Sequence, residues 1–167
     1  REGLRKPELE GALPRVGEIP FDSDRKRMTT VHELSNRDHS KIPKALTVLD
    51  GSRGPSGRPA YVAFTKGAVD SLLEVSSRVW ADGRAEPLDG AWRERISVAN
   101  ERLAQGGTRV LGVALRPLRP SDLDSVGDAL ERELIFVGMV GMIDPARPEA
   151  KRAVQTSKAA GVRPVMI

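Results

Sequence analysis

The chain lacks cysteine, has few aromatic residues and contains no long apolar run. Without cysteine, a disulfide scaffold and a thiol nucleophile are excluded, and a reducing compartment is favoured. Aromatic residues make up 4% of the 167 residues, so the core must be aliphatic. The longest apolar run, 134–143, has the length of a strand and falls short of the roughly 18–20 residues that cross a bilayer. We therefore expect about one domain, which does not itself insert in a membrane.

Several common functional motifs are also missing. There is no phosphate-binding loop of the form G-x-x-x-x-G-K-[ST] and no dinucleotide motif G-x-G-x-x-G. The glycine-rich segment 51–57 is not followed by a helical pattern, so its amides cannot form an anion site at a helix N-terminus. His32 and His39 are isolated, and without cysteine they do not indicate a metal site. The sequence predicts neither a metal centre nor a catalytic residue within the chain.

The charge balance is slightly basic. The chain has 27 basic and 23 acidic residues, a formal net charge of +4, which favours anionic partners. No RNA- or DNA-binding module is recognisable, and few aromatic side chains are available for stacking on bases. We therefore expect no nucleic-acid partner.

The apolar pattern predicts an α+β fold. Strands are predicted at 16–20, 28–34, 46–49, 61–65, 109–115 and 134–143, and a loop at 81–87. One helix follows Gly67, with Val79 and Trp80 completing its apolar face; a second runs from 90 to Gly106, and a third from Pro148 to Gly161. Because strands and helices alternate irregularly, with hairpin-like neighbours, we expect an antiparallel sheet flanked by helices.

The most informative segment is 20–28, Pro-Phe-Asp-Ser-Asp-Arg-Lys-Arg-Met. An aromatic ring, Phe21, is followed five residues later by Lys26 within a basic cluster. This pairing suits a purine nucleotide, because the ring can stack on the base and cations can lie near the polyphosphate. Arg25 and Arg27 are expected to alternate with Lys26 on a strand and to point the other way.

Three further segments support the same interpretation. Lys66-Gly67-Ala68 follows a predicted strand and precedes a helix, and its glycine permits a close backbone approach. Arg109 begins a strand and carries the planar, permanently charged group that suits phosphate oxygens. The segment 141–147 ends in a proline-rich stretch that cannot continue a strand and is typical of a hinge.

In their order and wording these segments resemble the nucleotide-binding domain of P-type cation-transporting ATPases. The resemblance is nearest to the calcium pumps of the sarco/endoplasmic-reticulum type and their bacterial relatives, and it covers nearly the whole chain. The family motifs read roughly F-[SD]-S-[DE]-R-K-x-M-[ST]-V, K-G-A-P-E, L-R-[VC]-L-A-[LV]-A and G-x-[VI/L]-x-D-P-P-R. Val69, Asp70 and Ala146 depart from them, standing for Pro, Glu and the second Pro of the hinge motif.

The resemblance implies the nucleotide contacts residue by residue. Phe21 stacks on adenine, and Lys26 lies beside the nucleotide. Lys66, with Gly67 and Ala68, forms a pocket wall near the base. Arg109 reaches the phosphate side, Leu111 packs near the base, and Arg147 contacts phosphate after the domains close.

The resemblance also implies an organisation and a role. Residues 1–143 are expected to form the nucleotide-binding domain, and 144–167 the hinge and truncated start of the phosphorylation domain. In the pump this cytoplasmic domain of an integral membrane protein would present Mg-ATP to an aspartate in a D-K-T-G-T motif, working with the phosphorylation and actuator domains. That motif and the T-G-D motif that helps hold Mg²⁺ are absent from the 167 residues. We expect a segment cut from a longer protein on both sides, which binds ATP without hydrolysing it.

Two alternatives remain open from the residues. A non-catalytic domain could dock its basic cluster on an acidic protein or lipid surface, and such docking would collapse as salt rises. A soluble phosphatase or kinase of the dehalogenase-like class would need a nucleophilic aspartate in a D-x-[DT] setting, and the chain offers no convincing one.

Overall fold

The computed structural model describes residues 6–34, 61–125, 127–143 and 147–165. Within these ranges the strands are β1 Arg15–Asp22, β2 Arg27–Glu33, β3 Tyr61–Gly67, β4 Ser76–Ala81, β5 Arg84–Pro87, β6 Arg109–Leu118 and β7 Leu134–Met142. The helices are α1 Lys6–Ala12, α2 Val69–Val75, α3 Gly90–Gln105 and α4 Pro148–Ala159, and two 3₁₀ turns lie at Pro120–Ser125 and Asp128–Glu131. No helix in the described ranges is both long and apolar enough to cross a membrane.

The seven strands form one sheet in the order β1-β2-β3-β6-β7-β4-β5. Neighbouring strands are antiparallel except β4 and β7, which run parallel. The predicted α+β class is confirmed, with one parallel pairing in a sheet that the sequence predicts as antiparallel. The order places the strands bearing Phe21, Lys66 and Arg109 in one half of the sheet.

The two faces of this sheet are packed differently. On one face, here called the covered face, helices α2 and α3 pack over β6 and β7, with Leu72 and Phe136 almost fully buried. The opposite face is covered only in part. Ala12 and Leu13, at the end of α1, pack there against Val62 and other aliphatic side chains. The remainder of that face, toward the ends of β3 and β6 nearest Lys66 and Arg109, carries the candidate site.

The prediction that Val79 and Trp80 continue the helix after Gly67 is wrong. Helix α2 ends at Val75, and residues 76–81 form strand β4. The buried Ser76 marks the change, since its hydroxyl donates to the Leu72 carbonyl at 2.7 Å. Beyond it, Val79 pairs with Phe136 of β7 and is buried in the core. Pairing with a distant strand therefore overrides the helical spacing.

The segment 81–87, predicted as a loop, is the end of a hairpin. Strand β5 pairs with β4 through a tight turn at Asp82 and Gly83, both with positive φ, 48° and 81°. Two consecutive residues of positive φ define the turn that matches the twist of paired strands, and Asp-Gly is a preferred sequence for it.

The other described elements follow the pattern of the sequence. Helix α3 begins after Asp89, whose side chain accepts a hydrogen bond from the Trp92 amide at 2.9 Å. Helix α4 begins at Pro148, ends before Gly161, and has no buried residue. The predicted strand at 46–49, the glycine-rich segment 51–57 and the hinge residues 144–146 lie outside the described ranges.

Candidate functional site

An open cavity of about 400 Å³ lies on the partly covered face of the sheet. Strand register places Met28, Lys66 and Val113 side by side across β2, β3 and β6. We call the side of the sheet that bears these three residues the pocket face. The cavity has a largely apolar floor with basic groups beside it, and it is lined by Arg15, Met28, Thr30, Phe64, Thr65, Lys66, Leu111 and Val113. Its volume falls within the usual range for small-molecule sites.

Strand β6 supplies one side of the pocket face. Because side chains alternate along a strand, Arg109, Leu111 and Val113 share this face. Leu111 lies opposite Val140, and Arg109 lies opposite Met142. These two β7 side chains are exposed, so the apolar floor continues beyond the cavity toward the guanidinium of Arg109.

Phe21 reaches the pocket face through a β-bulge. Ile19 pairs with Thr29 and Asp22 with Arg27, so both Pro20 and Phe21 lie opposite the single residue Met28. Simple alternation would put Phe21 on the buried side with Ile19. The extra residue reverses the direction of the following side chains, and the Phe21 ring is 64% exposed. The ring does not line the cavity, but it lies on the same face beside Met28, which does.

Lys26 lies in a turn and not on a strand. Its φ is 52°, and its amide donates to the Asp22 carbonyl at 2.7 Å. The Asp22 carboxylate accepts hydrogen bonds from the amides of Arg25 at 2.9 Å and Asp24 at 3.0 Å. These bonds, the Arg25 amide first, hold the pKa of Asp22 below its usual value. The Lys26 ammonium is exposed and lies 4.0 Å from the Asp70 carboxylate, a weak surface ion pair.

Gly67 allows two distant segments of the chain to touch. A Cβ atom at this position would lie 2.5 Å from the Lys26 carbonyl oxygen and 2.6 Å from Cβ of Arg27. Next to it, the Ala68 amide donates to that same Lys26 carbonyl at 3.0 Å. The close approach inferred from the sequence therefore exists, and its partner is the turn that carries Lys26. Gly67 and Ala68 bring the two lysine-bearing segments together.

Behind the turn lies a buried carboxylate that sequence reasoning missed. Glu131 has no exposed surface. It accepts hydrogen bonds from Arg25 Nη1, from Arg27 Nε at 2.9 Å and from the Thr29 hydroxyl at 2.8 Å. Burial alone would raise the pKa of Glu131, but the hydrogen bonds from Arg25, Thr29 and Arg27, with the charge of Arg25, outweigh it and lower that pKa. In the sequence Glu131 stands beside Arg132 and Glu133 and resembles solvated surface.

Of the residues singled out from the sequence, Lys66 and Leu111 line the cavity, and the others do not. Phe21, Lys66, Arg109 and Leu111 share the pocket face, and the backbone of Lys26 contacts Ala68 next to it. Arg147 precedes α4 at its N-terminal cap and does not line the cavity.

Comparison with known proteins identifies the family. The family model described as P-type ATPase, cytoplasmic domain N, matches residues 3–149 of the chain. The chain belongs to this family of N domains. Calcium-transporting ATPase 1 of Bacillus cereus is 36% identical over 98% of the chain, and a calcium-transporting ATPase of Bacillus subtilis is 33% identical over 99%. The cation-transporting ATPase pma1 of Synechocystis is 35% identical over 100% of the chain.

This N domain is a small part of those relatives. The chain spans 16% of the length of each of the three proteins. The similarity therefore concerns the N domain and does not by itself assign the activity of a whole transporter.

Proposed function

We propose that this N domain binds ATP on the pocket face and positions it for phosphoryl transfer to an aspartate outside the chain. Adenine would stack on the Phe21 ring and rest on the apolar floor beside Leu111. Lys66 would form the wall near the base, with Lys26 beside the nucleotide and Arg109 toward the phosphates. The observation that carries the proposal is the meeting of an exposed ring and the cation Lys66 on one face of the sheet, beside an open cavity.

These groups are better suited to positioning the nucleotide than to binding it tightly. A base stacked on an aromatic ring contributes about 1–3 kcal/mol. The cations are exposed, so their contacts with phosphate are screened by solvent and salt. After the cost of ordering the ligand we expect a Kd of about 1 mM. Weak binding fits the role, because phosphoryl transfer depends chiefly on placing the phosphate in line with its acceptor.

The proposal extends to the protein that contains this N domain. It would be a cation-transporting P-type ATPase in which the domain lies on the cytoplasmic side of the membrane and uses Mg-ATP. Its partners would be the phosphorylation and actuator domains of the same protein. Residues 144–167 would serve as the hinge and the start of the phosphorylation domain, and Arg147 would meet phosphate when the domains close. The similarity to calcium-transporting ATPases favours calcium as the cation.

A titration of the ¹⁵N-labelled chain with ATP tests binding at this site. We expect shifts centred on Phe21, Met28, Lys66 and Leu111, with little dependence on Mg²⁺ because the base makes the main contact. Raising the salt concentration should leave most of the affinity, whereas docking of the basic cluster on an acidic surface would be lost.

A pair of lysine variants provides the control. Lys66→Gln should weaken ATP binding by up to about fivefold, the upper end for a solvent-exposed ion pair. Lys151→Gln removes the same charge from the exposed helix α4 and should leave the affinity unchanged. No shifts at the pocket face, or equal losses in both variants, would rule out the proposed site.

A further inference from the structure

The groups behind the pocket face form a continuous network that reaches the segment bearing Phe21. Glu131 holds Arg25 and Arg27 from the covered side of the sheet. Arg25 also donates, through Nη2, to the carbonyl oxygen of Pro20 at 2.9 Å. Pro20 is the residue before Phe21 and part of the bulge that turns the ring onto the pocket face. A chain of contacts thus leads from Glu131 to the Phe21 ring. Glu131 binds the Arg25 guanidinium, which binds the carbonyl oxygen of Pro20, and Pro20 precedes Phe21.

A second branch of the network reaches Lys26. Arg27 Nη1 donates to the Ser71 hydroxyl at 2.9 Å, and that hydroxyl donates to the Arg25 carbonyl at 2.6 Å. Ser71 lies in the first turn of α2, directly after the Lys66-Gly67-Ala68 segment. The turn residues before and after Lys26 are therefore fixed to β3 and α2, while the Lys26 side chain remains exposed.

Because these groups are largely buried, a change in one of them should affect the others. The side chains of Arg25 and Arg27 are 21% and 12% exposed, and Glu131 is fully buried. Arg25 also lies 3.9 Å from the Asp22 carboxylate, but Glu131 is the anion that both arginines share. Removing its charge leaves two largely buried cations less well compensated, so the backbone that carries them is held less firmly. The backbone nearest the arginines is the bulge and the turn.

We propose that Glu131 is a positioning residue for the nucleotide site, holding Phe21 through Arg25 and Pro20 and holding Lys26 through Arg27 and Ser71. The expected effect on ATP affinity rests on the proposed function. The claim that Glu131 holds the bulge and the turn rests on the hydrogen-bond network alone. Glu131 itself lies on the opposite side of the sheet and does not touch the ligand.

The first test is the variant Glu131→Gln, which keeps the shape of the side chain and removes its charge. We expect the Kd for ATP to rise about fivefold, the lower end of what one stacked base contributes. The Kd for adenosine should rise by a similar factor, because the change acts on Phe21. Ile96→Ala, which opens a cavity in the core beneath α3, should lower the denaturation midpoint without changing either Kd. Equal Kd values in wild type and Glu131→Gln would overturn the inference.

The second test needs no nucleotide. The Ala68 amide is bonded to the Lys26 carbonyl, so its hydrogen exchange reports how firmly the turn is held. In Glu131→Gln this amide should exchange about tenfold faster, while the Arg93 amide at the start of α3 should keep its rate. Uniform acceleration at both amides would indicate global destabilisation and contradict a positioning role.

The outcomes separate this inference from the proposed function. If the wild-type chain does not bind ATP, the proposed function fails, and the exchange experiment still decides whether Glu131 holds the turn. If Glu131→Gln does not fold, Arg25→Met takes its place, because Arg25 is partly exposed and supplies the bond to Pro20. Arg25→Met should also raise the Kd for adenosine about fivefold, and an unchanged value would refute the inference.

Discussion

Glu131 remains charged in the interior because three donors face its carboxylate. Two are guanidinium groups, from Arg25 and Arg27, and the third is the hydroxyl of Thr29, which is also 2.8 Å from the hydroxyl of Thr65. An ionised carboxylate without such donors would be very costly to bury. Protonation would remove the anion that Arg25 and Arg27 share, so the stability of the fold must depend on pH through this residue.

The lowered pKa of Glu131 predicts a loss of stability in acid that depends on this side chain. Above about pH 4.3, the ordinary pKa of glutamate, the carboxylate is ionised in both states and its full contribution is present. As the pH falls toward the lower pKa of the folded state, the unfolded chain takes up the proton first, and stability is lost. Near pH 4 and below, this group should reduce the free energy of unfolding by up to about 1.4 kcal/mol per pH unit.

Urea denaturation of wild type and Glu131→Gln between pH 3 and 6 would measure that contribution. Asp22 also has a lowered pKa and contacts Arg25, so both chains should carry Asp22→Asn for the difference between the two curves to isolate Glu131. The gap in the free energy of unfolding should be largest near pH 6 and narrow in acid. Parallel curves would contradict the prediction.

Among the secondary-structure elements, the hairpin of β4 and β5 is determined partly by its turn residues and partly by pairing with a distant strand. Its turn is specified locally, because Asp82 and Gly83 accept the positive φ values that it requires. Its first strand is specified by its neighbour, because β4 lies beside β7 and contributes the buried Val79. Residues 76–81 alone carry a spacing that also suits a helix, and pairing with β7 and β5 excludes the helix.

Two glycine substitutions test the turn against a matched control. Gly83 has φ of 81° and open space around its missing Cβ, so Gly83→Ala should cost about 1–2 kcal/mol through backbone strain alone. Gly90 has equally open space, no positive φ, and lies at the start of α3. Gly90→Ala should therefore stabilise the chain by about 0.4–1 kcal/mol. Chemical denaturation measures both, and an equal effect of the two substitutions would argue against the strained turn.

In the molecule as a whole, the hydrophobic core lies on the two faces of the sheet, and α4 contributes no buried residue to it. None of the residues in α4 is buried, and Val154, Val162 and Val165 are exposed near the end of the chain. By contrast, β7 contributes Leu134, Ile135 and Phe136 to the cores on both faces. The boundary after residue 143 stays a prediction, and the exposure of α4 indicates how to test it.

Truncation after residue 143 should therefore leave the domain folded. We expect the midpoint of thermal unfolding to change by less than about 4 °C, which corresponds to about 1 kcal/mol for a domain of this size, and the Kd for ATP to stay within about twofold. A chain ending at residue 133 lacks β7 and should not fold. Calorimetry and the ATP titration test both chains, and a large loss of stability on removal of 144–167 would show that the boundary is wrong.

Much of the fold and part of the site could be predicted from the sequence because their signals are local. The strands at 16–20 and 134–143, the Asp89 cap of α3 and the strand before Lys66 are each specified by neighbouring residues. Glu131 could not be predicted in this way. The expected alternation of Arg25 and Arg27 with Lys26 on a strand is wrong, because Lys26 lies in a turn, and nothing local shows which of the acidic residues meets the arginines.

The family motifs, the α+β class and the residue types available to a nucleotide follow from the amino-acid sequence alone, because they depend on short spacings and on side-chain chemistry. The position of Phe21 on the pocket face, and not in the core, depends on the pairing of β1 with β2, since a single extra residue in β1 reverses the alternation. Tertiary contacts also explain why Gly67 is needed, since it lies against the turn that carries Lys26. They likewise bring Glu131 to Arg25 and Arg27. Contacts between residues far apart in the chain cannot be read from local spacing, because the pairing of strands creates them.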